Sequence, residues 1–286
     1  MSNTKDSRRR GNRIAAITMA RNDEFFLNRW IAYYGEQLGE ENLYIYLDGL
    51  DQKIPGGARN AHITKMEHID GLSRRAGDKH RIRLLSKRAT ELFAQGYDLV
   101  IGCDCDEFLV VNPAVGKTLK QYLSDADIKT SVSGLGLDVG QDLNREYPLD
   151  ANEPFLAQRE YALLSTRYTK PVVLAKPLRW GSGFHSVKRH NFHIDKNLHL
   201  LHFGSVDYEM LRNKIGDRNP NWRKHLARRA ETIFIITRKK RRRASYIKLA
   251  RAMQTVFRPP YAWNKPFMFG IKLVTKIPSR FREYNI

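Results

Sequence analysis

The stretch "YDLVIGCDCDEFLVVNP", residues 97–113, decides how the rest of the chain is read. An apolar run over 97–103 is followed at once by three carboxylates in four positions, Asp104, Asp106 and Glu107. Continuous apolarity marks a strand covered on both faces, as at the centre of a parallel sheet. In open α/β sheets, ligands bind outside the carboxyl ends of such strands. Residues i and i+2 of an extended chain point the same way. Asp104 and Asp106 are therefore expected on one side, with Cys103 and Cys105 on the other. Two hard oxygen ligands on one face suit a divalent cation such as Mg2+ or Mn2+, which keeps other positions for water and substrate phosphates. No Lys or Arg within several residues neutralises these acids. An Asp-x-Asp triplet also occurs in solvated turns, so spacing alone leaves both readings open.

The segments before this stretch predict the rest of a parallel half-sheet. "RIAAITMA" (13–20) reads as a strand, and "RNDEFFLNRWIAYYGEQLG" reads as a helix. Asn22 or Asp23 can start that helix and Gly39 can end it. Phe26, Trp30, Tyr33, Tyr34 and Leu38 fall at helical spacing. "NLYIYL" (42–47) is a second strand ending at Asp48, so the unit is strand–helix–strand. "AHITKM" (61–66) is a third strand, and 78–96 a helix with Ile82, Leu85, Ala89, Leu92 and Phe93 on its inner face. Beyond the acids, 130–140, 171–180 and 199–205 read as strands, with 141–170 as a long excursion between them.

Composition sets the outer bounds. A chain of 286 residues, 42% hydrophobic and 10% aromatic, is long and apolar enough for a real core. No apolar run reaches the ~18–20 residues of a membrane span. The polar, basic N-terminus has no apolar core of a secretory signal, so the expected location is the cytoplasm, peripheral at the inner face of a membrane. The two cysteines are too few for a disulfide scaffold or a four-thiolate zinc site and read as buried apolar residues. Of the net charge of +20, residues 209–286 supply +17. This divides the chain into a basic arm at 1–12, expected to be disordered, a main α/β domain at 13–205, and a basic helical region at 206–286.

Three stretches in order, "ARNDEFFLNRWIAYYGEQLG", "DCDEF" and "KPLRWGSGFHSV", resemble the glycosyltransferase family 2-like proteins. The resemblance covers about 13–205. It implies the GT-A fold: a Rossmann-like, mostly parallel central sheet with helices on both faces. It also implies sugar transfer from a nucleoside-diphosphate sugar to a saccharide or lipid-linked acceptor with Mn2+ or Mg2+. On that resemblance, Asp104 contacts the donor ribose or the metal shell, and Asp106 ligates the metal. Glu107 steadies the strand end. Arg21, Asn22 and Asp23 begin the nucleotide pocket, and Asp48 lies near the base. The family's usual Asn-Glu is Asn22-Asp23 here. The Glu-Asp and Gln-x-x-Arg-Trp motifs of processive synthases are absent, which points to a non-processive enzyme.

The remaining chemistry is assigned by position. An inverting displacement needs a base for the acceptor hydroxyl, and Asp138 and Asp142 in "GLDVGQD" are the candidates. The resemblance further implies a late histidine in the metal shell, with His185 the first choice and His202 the second. Lys176 and Arg179 beside the Gly181/Gly183 turn are candidates to neutralise diphosphate, with Arg74, Arg75, Lys79 and His80 able to do the same. "RKKRRR" (238–243) and the helical pattern to 258 suit peripheral contact with an anionic membrane. The rival class is a basic nucleic-acid- or lipid-binding protein on a catalytically silent α/β scaffold, although no recognised nucleic-acid module is present. A nucleotidyltransferase or phosphate-ester hydrolase using the same acids is a third reading.

Overall fold

The computed structural model describes residues 13–216, 220–240, 242–258 and 272–286. The basic arm read over 1–12 lies outside the described residues. The N-terminal half forms the expected parallel unit. Strand β1 (Ile14–Ala20) leads to helix α1 (Glu24–Leu38), then to β2 (Leu43–Asp48) and β3 (His62–Met66). Helix α2 (Arg74–Ala94) then returns the chain to β4 (Leu99–Gly102). β1 pairs in parallel with both β2 and β4, and β2 with β3, giving the order β4-β1-β2-β3.

The alternation of β1 explains why helices cover both faces. Ile14, Ala16 and Ala20 pack with Phe26, Leu27, Trp30 and Tyr34 of α1. Ala15 and Ile17 face the other way, onto Ile82, Leu85, Ala89 and Leu92 of α2. Each large apolar side chain fully buried in these layers contributes roughly 1.5–3 kcal/mol. α2 begins at Arg74, four residues before the helix read from 78, because the Ser73 hydroxyl accepts the Ala76 amide at 3.3 Å and caps the first turn.

The second half is antiparallel where it joins β4. Strand β5 (Glu107–Val111) and helix α3 (Leu119–Asp125) precede β6 (Ser131–Gly140). The excursion over 141–170 holds a short helix, α4 (Phe155–Gln158), and a strand, β7 (Tyr161–Leu164). The strand read over 171–180 is reduced to β8 (Val173–Leu174) and an isolated bridge from Trp180 to Val187, since Pro177 between them cannot continue a ladder. The strand read from 199 in fact begins at His193, as β9 (His193–Ser205). It pairs antiparallel with β5 and parallel with β6.

The basic region is helical as read, with α5 (Tyr208–Gly216), α6 (Pro220–Arg238) and α7 (Tyr246–Phe257). It also returns to the sheet: β10 (Val274–Lys276) pairs antiparallel with β7. The result is an α/β fold whose central strands are mostly parallel, extended on one side by a mixed set.

Candidate active site

The acidic stretch is not extended. The Glu107 amide donates to the Asp104 carbonyl at 3.0 Å, so the chain turns tightly between β4 and β5. This corrects the expectation that strand alternation aligns Asp104 with Asp106. The turn brings the acids together instead, and oxygens of Asp104, Asp106 and Glu107 all lie within 4.8 Å of one another. Cys103 turns inward, where Trp30 Nε1 approaches its sulfur at 3.4 Å, and burial pushes its thiol up to about 12. Both cysteines are free and buried.

Sheet register adds a fourth carboxylate. His202 of β9 sits opposite Glu107 of β5 on one side and Asp138 of β6 on the other. Its Nδ1 lies 2.7 Å from Asp138 Oδ1, and its Nε2 lies 3.4 Å from Asp106 Oδ2. The Tyr168 ring stacks on the imidazole at 3.7 Å between centroids. Thr232 of α6 donates to the other Asp138 oxygen at 2.8 Å.

Contrary to the local sequence, cations do neutralise these acids, and they come from distant elements. Arg81 of α2 binds Asp104. Lys170 binds Glu107 and reaches Asp104 at 3.3 Å. Arg229 of α6 binds Asp106 at 2.9 Å. Burial alone raises the Asp106 pKa, but Arg229 and His202 outweigh it and hold the carboxyl well below the usual range. Asp104 is likewise held low against burial by Arg81 and Lys170. Burial opposes charge on His202, yet Asp106 and Asp138 reverse the effect and push it up to about 9, so the ring is an imidazolium at neutral pH. Buried ion pairs cost desolvation, and removing one partner is strongly destabilising.

The acids open onto a cavity of about 1320 Å³. Arg21, Asn22, Asp23, Asp48, Asp104, Asp106, Asp138, His185 and His202 all line it, as do Arg74, Arg75 and His80. The carboxyl ends of β1, β2 and β4 thus share one opening. At the β2 end, Arg21 donates to the Asp48 carbonyl at 2.5 Å, and its guanidinium stands where a Cβ on Gly49 would lie (Gly49 φ +136°). His68 Nδ1 sits 3.0 Å from the Asp48 carboxylate.

Four of the residues read from sequence stand elsewhere. Lys79, Lys176 and Arg179 do not line the cavity. Asp142 is fully buried against Arg242 and also lies outside it. Arg242 in turn bonds the Ile236, Thr237 and Lys239 carbonyls at 2.8, 3.2 and 2.8 Å, closing the C-terminus of α6. The candidate base Asp142 is therefore an anchor for the basic run. His202, the second choice for a metal ligand, has both ring nitrogens turned to carboxylates. Sequence reasoning missed Arg81, Lys170, Arg229 and Thr232, and also Lys214, which lines the cavity and binds Asp23 at 2.5 Å. Arg229 and Thr232 stand one turn apart on one face of α6, but nothing in the sequence separates Arg229 from its many basic neighbours.

The donor chemistry fits a divalent cation: three convergent carboxylates are hard oxygen ligands. Comparison with known proteins adds little. No family model matches the chain, and no curated protein matches it. Solved structures similar to it include the following two. One is a glycosyltransferase involved in the glycosylation of the major capsid of PBCV-1, at 12% identity over 43% of this chain and 50% of that one, with a TM-score of 0.27. The other is described as mannose-1-phosphate geranyltransferase from Thermus thermophilus, at 9% identity over 92% and 73%, with a TM-score of 0.29. The chain spans half the length of the first of these. Likeness at this level gives no residue correspondences, and the chemistry rests on this chain's own side chains.

Proposed function

We propose that the chain is a GT-A glycosyltransferase that moves a sugar from a nucleoside-diphosphate sugar to a saccharide or lipid-linked acceptor, inverting and non-processive, with Mn2+ or Mg2+. One observation carries the reading. The carboxylates of the β4–β5 turn converge at the carboxyl ends of parallel strands, and two of them, Asp104 and Asp106, line a cavity shared with Arg21, Asn22, Asp23 and Asp48. Its volume of about 1320 Å³ exceeds the ~300–1,000 Å³ of most small-molecule pockets, as a donor plus part of an acceptor requires.

In this reading Arg21, Asn22, Asp23 and Asp48 bind the nucleoside, and Asp104 and Asp106 hold the cation with Glu107 behind them. A divalent ion there supplies charge stabilisation for the departing diphosphate. Lys170 is the buried support. Burial favours its neutral form, but Glu107 and Asp104 more than reverse that and keep it an ammonium. Asp138 is the candidate base. Each of its oxygens carries one donor, His202 or Thr232, and a carboxylate has room for about four. His185, at the cavity wall, is the remaining histidine for the cation or the phosphates.

The same reading takes 13–205 as the catalytic domain and 206–286 as a region that closes the site and meets a membrane from the cytoplasmic side. Among the described residues no helix is long and apolar enough to cross a membrane. α7 exposes Leu249, Val256 and Phe257 on one side, and Arg238, Lys239, Lys240, Arg243 and Lys248 lie nearby in sequence. Apolar anchors beside clustered cations suit an anionic lipid surface.

The test is a donor screen with Mn2+ that measures released nucleoside diphosphate. Release of pyrophosphate instead marks a nucleotidyltransferase, and release of inorganic phosphate marks a hydrolase. No turnover and no nucleotide affinity would leave the silent-scaffold reading standing.

A further inference from the structure

Among the cations around the acidic turn, Arg229 is held least. Arg81 is tied to two carboxylates, Asp104 and Asp78, and Lys170 to Asp104 and Glu107. Among the described residues, the hydrogen bonds of Arg229 go to Asp106 alone. Its Nε is buried and donates to none of them. An arginine carries five N–H donors in a rigid fork matched to phosphate oxygens. A buried donor without an acceptor is costly, so this group gains from an anion brought to it.

The seat of Arg229 is shaped by a missing side chain. A Cβ on Gly204 would come within 2.6 Å of the guanidinium carbon and within 2.6 Å of His202 Cε1. No other residue type at 204 leaves both groups in place. The helix itself is fixed. Ile233 and Ile236 of α6 are wholly buried, and Thr232 is bonded to Asp138. Displacement of Arg229 is therefore a side-chain swing.

Arg229 Nη2 binds Asp106 Oδ2, and this oxygen also faces His202 Nε2. A cation ligated by Asp106 competes with the guanidinium for the same carboxylate. We propose that Arg229 is an internal counter-cation that occupies the divalent-ion position on Asp106, yields it when metal and donor arrive, and turns its fork onto the donor's diphosphate. This rests on the donor-site reading above. It also gives the basic C-terminal region a part in the site, because α6 supplies the exchanging cation.

Competition has a direct readout in the protein without nucleotide. Mn2+ binding is measured by the electron paramagnetic resonance of free Mn2+ on the full chain, for native protein, Arg229→Gln, Gly204→Ala and Asp106→Asn. Arg229→Gln is expected to bind Mn2+ about tenfold more tightly than native protein, within the range of coupling between linked sites. Gly204→Ala, which evicts the guanidinium by crowding, should move the same way. With Mn2+ saturating, UDP or GDP should bind Arg229→Gln more weakly than native protein. Unchanged or weaker Mn2+ affinity in Arg229→Gln, with a lowered melting temperature, overturns the exchange and leaves Arg229 a structural partner of Asp106. If Asp106→Asn still abolishes Mn2+ binding in that case, the metal reading survives alone. No saturable Mn2+ binding by any variant overturns both.

Discussion

His202 and Asp138 face each other across the parallel pairing of β6 and β9, joined by a 2.7 Å contact from Nδ1 to Oδ1. The pair fixes a carboxylate at the cavity wall, 64 residues from its partner in sequence. It separates Asp138 from Asp142, four positions on, which is anchored to Arg242 away from the cavity.

The two aspartates should respond oppositely to amidation. Asp138→Asn is expected to lower turnover by about 10²–10⁴, the usual worth of a general base. Asp142→Asn should leave turnover near native but destabilise the fold by about 3 kcal/mol, because a buried pair loses one partner. Steady-state kinetics and urea unfolding of both variants check this. A large turnover loss confined to Asp142→Asn would reverse the assignment.

Away from the site, His199 of β9 accepts from Arg251 Nη2 at 2.9 Å. Burial, then Arg251 and Arg280, hold its pKa well below the ordinary 6.5, so the folded ring stays neutral. In the unfolded chain it takes a proton as pH falls through that value. The stability it contributes is thus full above pH ~6.5 and is lost progressively on acidification. Unfolding free energies of native protein and His199→Gln should differ by a constant above pH ~7, and the native protein should lose stability relative to the variant as pH falls from about 6.5 to about 5. A pH-independent difference contradicts the assignment.

Leu249, Val256 and Phe257, 49%, 70% and 52% exposed, should insert at a lipid interface. Native protein is expected to sediment with phosphatidylserine vesicles and not with purely phosphatidylcholine ones, and to dissociate as salt rises. Replacing the three residues by Ser should weaken binding about tenfold or more. Equal sedimentation with both vesicle types would remove the membrane role.

The parallel half of the fold was legible because its signals are local. Apolar periodicity, Gly39 and the run over 97–103 report on neighbours in the chain. The same locality explains the shared cavity of Arg21, Asn22, Asp23, Asp48 and Asp104, each at the end of a readable strand. What could not be read depends on pairings far apart. The β4–β5 turn, the doubly paired β9, and the reach of Lys170 and Arg229 to the acids all follow from tertiary packing. Charge counted along the chain left the acids without counter-ions, whereas the folded protein surrounds them with cations from three segments. The stretch "GLDVGQD" brings Asp138 to the cavity but not Asp142, which pairs with Arg242, a residue no sequence signal distinguishes within the basic run.

The central claim is that Asp106 joins a divalent ion to a nucleotide donor. Titration calorimetry of UDP and GDP, each with and without Mn2+, on native protein and Asp106→Asn tests it most directly. The account predicts that native protein binds one of these nucleotides with Mn2+ and at least about tenfold more weakly without it, and that Asp106→Asn loses this dependence. Nucleotide affinity indifferent to both Mn2+ and Asp106, or no nucleotide affinity at all, would contradict it.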